Sequence, residues 1–298
     1  MEELDLVKTQ IKKFVGDLDH KKSLELLDLL SSGKMLRSKL ILKIAGSNDE
    51  SIKLCAIIEM IHAASLLHDD VIDEADTRRG SPSINALFDN KTSIMFGDIL
   101  YSKAFTELTT MDKRVAYNVS NAVTLLSIGE MIDVDLTKTF NTSIEKYLDM
   151  IYKKTASLIE ASAKSAAILA GLDENAFGLY GKNLGLAFQM IDDILDITQD
   201  SKTLGKPAML DFVEGKVTIP YLLLYERCED KAKLESLYKR SLNEEESNWI
   251  KSSMLESKAL EDSIKKAKLL GLEAIEAVKV YNNKDLENIM SVMINREF

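Results

Sequence analysis

The apolar residues of this chain almost never alternate strictly with polar ones, and such alternation is the pattern typical of β-strands. Only three prolines occur in 298 residues, so few positions force a long helix to break. We therefore predict an all-α protein. No repeat, low-complexity tract or change of composition marks a linker, and we predict a single domain over residues 1–298.

The charge balance narrows the classes of partner. The chain has 38 Lys and Arg residues against 48 Asp and Glu residues, which gives a formal net charge of −10. A chain this acidic repels nucleic-acid phosphates and anionic lipid headgroups, so we expect no nucleic-acid partner. Two cysteines and three histidines are too few and too scattered for a disulfide framework or a zinc cluster.

The sequence also gives information about the cellular location of the protein. The first residues are acidic and polar, whereas a signal peptide has a basic segment followed by an apolar one. The longest uninterrupted apolar stretch, residues 219–225, is far below the ~18 residues that indicate a membrane span. We expect a cytoplasmic protein with no membrane span.

Several segments have recognisable helix boundaries. A long apolar run from Ile52 to Ile72 follows Asn48 and predicts a central helix surrounded by other helices. Thr142 and Glu145 fit a capping box that starts a helix ending near Gly171. In the next helix, which Asp173 caps, Gly181 and Gly185 are expected to let another helix approach closely. Residues 199–218 are predicted to form a long loop, and Pro220 the first turn of a new helix.

Two aspartate motifs lie at the ends of apolar helices. In the first, Asp69 and Asp73 are four residues apart and share a helix face, with Asp70 beside them. Unpaired carboxylates are costly next to an apolar helix, so a cation must compensate them. The pattern recurs at Asp192, Asp193 and Asp196.

Two such motifs together indicate divalent cations. Mg²⁺ prefers a few carboxylate oxygens combined with water and phosphate oxygens, so the motifs predict a Mg²⁺-bound polyphosphate substrate. The chain has no glycine-rich phosphate loop, and a nucleotide is therefore not indicated. Cationic residues of the kind that bind phosphate recur near the motifs: Lys34, Arg37, Arg78, Arg79, Lys206 and Lys216.

These motifs together resemble one family. The order Gly-Lys-x-x-Arg at residues 33–37, the first aspartate motif with a trailing Arg-Arg-Gly, Lys154-Thr155, and Phe-Gln-x-x-Asp-Asp-x-x-Asp at residues 188–196 is similar to that of the trans-isoprenyl diphosphate synthases, or polyprenyl synthetases. The motifs Gly-Lys-Pro at residues 205–207 and Lys-Val-Thr-Ile-Pro at residues 216–220 complete it. The chain resembles the medium- and long-chain synthases of the bacterial type.

The resemblance implies a single polyprenyl synthetase domain with the isoprenoid synthase type I fold. This fold is a bundle of long helices around a central cavity, with both aspartate motifs at its mouth. It also implies a homodimer, with transient membrane contact for product release, and three Mg²⁺ ions per site. The implied substrates are isopentenyl diphosphate and an allylic diphosphate, either geranyl or farnesyl diphosphate.

The resemblance also implies roles for single residues. The metal ligands are Asp69, Asp70, Asp73, Asp192 and Asp196, and all but Asp196 are catalytic, together with Lys154 and Lys206. Isopentenyl diphosphate is implied to bind Lys34, Arg37, His62 and Arg79, although a lone histidine in an apolar helix is also a common core residue. The allylic diphosphate is implied to bind Arg78, Lys154, Thr155, Gln189, Lys206 and Lys216.

Product length is expected to depend on the residues one helical turn before the first motif, Ala64 and Ser65. Large aromatic residues there would block the growing chain, whereas these small ones leave room for a hexaprenyl to octaprenyl product for quinone side chains. One alternative is that both residues only pack helices. A separate alternative for the function is a short-chain synthase that makes farnesyl or geranylgeranyl diphosphate. Asp133 stands where long-chain members often have glutamine.

Other classes fit the sequence less well. A non-catalytic partner subunit would be expected to lose one or both aspartate motifs, and a class I terpene cyclase would not need the isopentenyl diphosphate residues. Ser38 departs from the family pattern, because proline usually follows the arginine at position 37. We expect this change to loosen the local turn without removing a phosphate ligand.

Overall fold

The computed structural model describes residues 2–31, 33–199 and 209–295. Most of these residues are helical, and the β structure among them is one hairpin of two-residue strands. The prediction of an all-α protein is therefore confirmed. The described chain divides into two compact units: the first comprises the residues up to Val123 with Ala161–Gly178, and the second comprises Thr124–Glu160 with the residues from Leu179 onward. The single domain over residues 1–298 stays a prediction.

The first unit is built on one central helix. Its elements, some of which continue into the second unit, are α1 (Glu2–Gly16), α2 (Lys21–Leu29), α3 (Leu36–Ala45), α4 (Asp49–Ile72), β1 (Thr77–Arg78), β2 (Ser81–Pro82), α5 (Ile84–Leu87), α6 (Asn90–Leu108), α7 (Lys113–Leu136), α9 (Ser157–Ala170) and α10 (Glu174–Thr198). Helix α4 packs against α1, α3 and α6.

Helix α4 begins where the sequence predicts. The side chain of Asn48 accepts a hydrogen bond from the backbone N–H of Ser51, and the Ser51 hydroxyl accepts one from the Asn48 N–H, which completes a capping box. By length and composition alone, α4 is the one described helix apolar enough to cross a membrane. More than half of its apolar window is buried inside the protein, which is typical of a core helix.

The second unit has its own apolar core. Besides the remaining parts of α7, α9 and α10, its elements are α8 (Ile144–Ile151), a π-helical turn (Tyr152–Ala156), α11 (Leu210–Val213), α12 (Ile219–Arg227), α13 (Lys231–Ser236), α14 (Glu244–Glu256), α15 (Ala259–Val278), a 3₁₀ turn (Lys279–Tyr281) and α16 (Lys284–Ile294). Buried side chains from α8, α10, α12 and α14 form one cluster that includes Phe212 stacked on Tyr221.

Of three predictions about helix ends in the second unit, two are wrong and one is confirmed. The cap of α8 is Ser143, whose hydroxyl accepts from the Lys146 N–H at 3.2 Å, so the predicted box starting at Thr142 is wrong by one residue. Helix α11 lies in the segment predicted to be a loop. Pro220 does lie in the first turn of α12.

Two glycines allow helices of the second unit to lie very close together. A Cβ atom on Gly185 of α10 would lie 2.5 Å from the Cα of Ala156, which confirms the close approach predicted there. A Cβ atom on Gly129 of α7 would lie 2.3 Å from the backbone nitrogen of Lys154. The π-helical turn that carries Lys154 is thus pressed against α7.

We predict that Gly129→Ala lowers the free energy of unfolding by about 1 to 3 kcal/mol, because the added methyl group must displace backbone atoms of the turn. Urea denaturation monitored by circular dichroism measures this. The matched control is Gly16→Ala at the end of α1, where nothing lies within 4 Å of the new Cβ. Equal stability of the two variants would contradict the prediction.

Candidate active site

The segment after the first aspartate motif folds back as a tight hairpin. Thr77 pairs with Pro82 and Arg78 with Ser81, so Arg79 and Gly80 form a two-residue turn. Both turn residues have positive φ, 53° and 76°, as a type I′ turn requires. The hairpin therefore directs the two neighbouring arginines to different partners.

Arg78 compensates the first aspartate motif. Its Nε donates to Asp70 Oδ1 at 2.5 Å and its Nη2 donates to Asp69 Oδ2 at 2.8 Å. Asp70 is almost fully buried, and burial raises the pKa of its carboxyl while the nearby Arg78 lowers it. Arg78 is thus the cationic partner that these carboxylates require at the end of an apolar helix.

Arg79 lies against the segment that precedes α3. Its Nη1 donates to the backbone carbonyl of Ser31 at 3.1 Å. The guanidinium also packs on Gly33, where a Cβ atom would come within 2.6 Å of Nη1. Glycine at position 33 therefore permits this contact, and Lys34 next to it is exposed.

Arg37 and His62 add to this positive region. The Nε of Arg37 is buried and has no hydrogen-bond partner among the described residues. Burial lowers the pKa of Arg37, which the charge of Glu59 raises and that of Arg79 lowers. Burial also sets the pKa of His62 well below its usual range, and the charges of Arg37, Arg79 and Arg78 lower it further.

Within the first unit, the structure therefore brings Arg37, Arg78 and Arg79 close enough to His62 for their charges to lower its pKa. Arg78 and Arg79 also line a pocket beside Asp70, together with Ala63 and Leu67 of α4. Guanidinium groups next to a pocket are suited to binding an anion.

The remaining predicted residues of the first unit lie on or just after α4. Asp73 ends the helix and is exposed. Ala64 is fully buried, and the Ser65 hydroxyl donates to the carbonyl of His62 at 2.8 Å. Their proposed effect on product length stays a prediction.

The second aspartate motif is embedded in a buried hydrogen-bond chain. Asp193 accepts from the Tyr147 hydroxyl at 2.6 Å and from the Gln189 amide at 2.9 Å. Gln189 in turn accepts from the Thr155 hydroxyl at 2.9 Å. Asp192, which precedes Asp193, is more exposed than it. The hydrogen bonds from Tyr147 and Gln189 therefore fix the side chain of Asp193, whereas the neighbouring Asp192 is the residue that is implied to bind metal.

The fold raises the pKa of the Asp193 carboxyl and so favours its neutral form. Burial raises its pKa most, and the charge of Asp211 raises it further. Asp196, also buried, accepts from the backbone N–H of Asp211 at 3.2 Å. Several acidic groups therefore share this part of α10 and α11.

Lys154 lies on the π-helical turn between two carboxylates. Its Nζ is 2.6 Å from Asp133 Oδ2 and 2.9 Å from Glu130 Oε2, both on α7. These two ion pairs orient the ammonium group of Lys154. Lys216 forms an ion pair with Glu214 at 3.1 Å. The predicted Lys206 lies outside the described residues.

The donors of the first motif fit Mg²⁺. Asp69 and Asp73 each offer a carboxylate oxygen, and these two oxygens lie within 4.8 Å of each other. Carboxylate oxygens are hard ligands of the kind that Mg²⁺ prefers, and no histidine or thiolate is needed. Asp192 and Asp196 offer the same type of donor on α10.

Sequence reasoning missed the residues that hold the predicted ones in place. Tyr147 and Glu130 belong to this group, because their partners lie 46 and 24 positions away along the chain and no local pattern connects them. Asp133 was noted only as a departure from the long-chain pattern.

Comparison with known proteins identifies the family. The profile of the polyprenyl synthetase family matches residues 23–254. The chain belongs to the polyprenyl synthetase family. The prediction of a trans-isoprenyl diphosphate synthase of the bacterial type is thereby confirmed.

Relatives of this polyprenyl synthetase include octaprenyl synthases. It is 35% identical over 241 residues to the octaprenyl diphosphate synthase of Haemophilus influenzae, covering 79% of this chain and 73% of that one. The chain is 39% identical to a Synechocystis prenyl transferase, and the match covers 66% of this chain and 64% of that protein. It is 37% identical to a mitochondrial solanesyl-diphosphate synthase from rice, and the match covers 80% of this chain and 56% of that protein.

A solved structure extends the similarity to the whole fold. The octaprenyl pyrophosphate synthase of Helicobacter pylori is 44% identical, with a TM-score of 0.94 and 99% of both chains covered. The prediction of the isoprenoid synthase type I fold is thereby confirmed.

We predict that Asp193→Asn changes the pH dependence of stability in metal-free protein. A carboxyl whose pKa is raised on folding stabilises the fold at low pH, and this contribution is lost as the pH rises above the ordinary carboxyl range of about 4. The variant should therefore lose less free energy of unfolding between pH 5 and about 8. Urea denaturation in EDTA measures this, and parallel curves for the two proteins would contradict it.

Proposed function

We propose that this polyprenyl synthetase condenses isopentenyl diphosphate head-to-tail with an allylic diphosphate to form an all-trans polyprenyl diphosphate. One observation carries the proposal. The first unit contains a carboxylate pair spaced for a divalent cation and, beside it, a group of arginine side chains formed by Arg37, Arg78 and Arg79. A metal-bound diphosphate and a second diphosphate held by cations alone are the two ligands that this chemistry needs.

The allylic diphosphate is proposed to bind through both aspartate motifs and nearby cations. Asp69, Asp70 and Asp73 would hold Mg²⁺ in the first unit, and Asp192 and Asp196 would do so in the second; three ions are proposed. Bound Mg²⁺ stabilises the negative charge that develops on the departing pyrophosphate. Lys154 is oriented for the same purpose by Glu130 and Asp133. Further contacts are proposed for Arg78, Thr155, Gln189, Lys206 and Lys216.

Isopentenyl diphosphate is proposed to bind Lys34, Arg37, His62 and Arg79. The low pKa of His62 means that the ring is neutral near pH 7, so it would donate one N–H and not a full charge. The guanidinium groups would supply the charge, since arginine recognises phosphate oxygens through two parallel hydrogen bonds.

The reaction places few other demands on the protein. The allylic carbon–oxygen bond breaks, and its electron pair leaves with the pyrophosphate. The alkene of isopentenyl diphosphate then attacks the cation to form the new carbon–carbon bond, and the proton lost afterwards goes to the pyrophosphate. Side chains therefore need to bind, orient and exclude water, which would otherwise trap the cation.

A product in the hexaprenyl to octaprenyl range, for quinone side chains, is proposed. The octaprenyl synthases among the relatives and the buried, small Ala64 one turn before Asp69 support this length. The short-chain alternative and a non-catalytic subunit are less favoured, because both aspartate motifs are intact and small residues precede the first.

A cytoplasmic homodimer is proposed from the family resemblance, with transient membrane contact for release of the apolar product. The exposed side chains of Met95 and Tyr117 in the first unit supply apolar surface that a second copy would cover. Sedimentation velocity distinguishes the dimer from a monomer.

The purified protein is expected to elongate farnesyl diphosphate with labelled isopentenyl diphosphate, and EDTA is expected to abolish this. Asp69→Asn should lower kcat at least about a hundredfold, because charge stabilisation in the transition state is lost. The matched control is Asp135→Asn, since Asp135 is an exposed carboxylate paired with Lys138. Elongation that persists without divalent cations would refute the proposed mechanism.

We also expect Ala64→Phe to shorten the product, because an aromatic ring would fill space that the growing chain needs. Reverse-phase chromatography of the extracted, dephosphorylated products measures their length. Ala104→Phe on α6, which is equally buried, controls for general damage to the core. An unchanged product distribution with Ala64→Phe would mean that the end of the tunnel lies elsewhere.

A further inference from the structure

Ser38 occupies the third position of α3 and is completely buried. Its hydroxyl donates to Glu59 Oε1 at 2.6 Å, and its backbone N–H donates to the same oxygen at 3.3 Å. These are the two hydrogen bonds that Glu59 accepts from the described residues. The expectation that serine here loosens the turn does not match this geometry, since Ser38 is fixed to α4 by two bonds.

A proline at this position could make neither bond. It lacks an N–H, and it has no hydroxyl. The N–H of a third helical residue has no partner within its own helix, so a serine there needs an external acceptor and Glu59 provides it. The thiol of Cys55 also contacts the Ser38 carbonyl, at 3.6 Å. Serine thus makes α3 and α4 share a buried polar contact that the usual family residue does not allow.

Glu59 acts in turn on the cationic group. It lies one helical turn before His62 on α4, and its negative charge raises the pKa of Arg37, whose Nε is buried and which is next to Ser38 in the chain. Burial of a guanidinium is costly unless an opposite charge is fixed nearby. The position of the Glu59 carboxylate therefore matters for the position of Arg37.

We propose that Ser38 is a positioning residue for the condensation: its two hydrogen bonds hold the Glu59 carboxylate as a counter-charge that forms no ion pair with Arg37, so the Arg37 guanidinium stays available to isopentenyl diphosphate. This inference rests on the proposed function of Arg37. Without Ser38, the Glu59 carboxylate is free to turn toward Arg37 and withdraw its guanidinium from the diphosphate. Ser38 thereby affects one of the two substrates and not the other.

The test compares Ser38→Ala, Glu59→Gln and the double variant with the unaltered chain by steady-state kinetics. We expect Ser38→Ala to raise the KM for isopentenyl diphosphate about tenfold, the order of effect of losing a hydrogen bond to a charged group. Glu59→Gln should change it by less than about threefold, because glutamine carries no charge that pairs with Arg37. The KM for farnesyl diphosphate should stay within about twofold, and the double variant should resemble Glu59→Gln, because Ser38 acts only through the Glu59 carboxylate.

Two controls separate the possible outcomes. Ser263→Ala removes another fully buried serine hydroxyl, in the second unit, and should leave both KM values unchanged. Arg37→Gln should raise the KM for isopentenyl diphosphate by itself, and thermal stabilisation by isopentenyl diphosphate alone should weaken in parallel.

A lowered melting temperature with unchanged KM values, or an equal rise in both KM values, would overturn the role of Ser38 and leave the proposed function intact. The same holds if only Arg37→Gln affects the KM for isopentenyl diphosphate. Absence of any condensation by the unaltered chain would instead refute the proposed function itself.

Discussion

The cost of placing carboxylates at the ends of apolar helices governs much of this structure. Each motif meets that cost with a different partner. Arg78 reaches back from a hairpin to bind Asp69 and Asp70, whereas Asp193 is held by the neutral donors Tyr147 and Gln189. Burial raises the pKa of Asp70, which the charge of Arg78 lowers. Burial and the charge of Asp211 raise the pKa of Asp193 by more than the donors Tyr147 and Gln189 lower it.

A two-residue turn and two glycines position the charged side chains near these motifs. A type I′ turn needs positive φ at Arg79 and Gly80, and Gly33 leaves space for the Arg79 guanidinium. Gly129 likewise allows the turn that carries Lys154 to lie against α7. The positions of Arg79 and Lys154 thus depend on the backbone conformation of the hairpin turn and on the close approach that Gly33 and Gly129 allow.

Much of this could be predicted from the sequence, because the signals are periodic or local. The apolar run after Asn48 predicts α4 and its start, and spacing of four residues places Asp69 and Asp73 on one face. Long-range partners could not be predicted: nothing near Asp193 points to Tyr147, and nothing near Ser38 points to Glu59. The cap of α8 was misplaced because Thr142 and Ser143 are both competent caps, and tertiary packing selects between them.

The π-helical turn at Tyr152–Ala156 carries one residue more than an α-helix would need to span the same rise. It therefore sets the rotation of the first turn of α9 about the helix axis relative to α8, within the second unit. Deleting a single residue there would restore regular helix and rotate everything on one side by about 100° relative to the other. Lys154 would then no longer face the carboxylates of α7, and Thr155 would no longer face Gln189. The one extra residue of the π-helical turn therefore keeps both side chains directed at their partners.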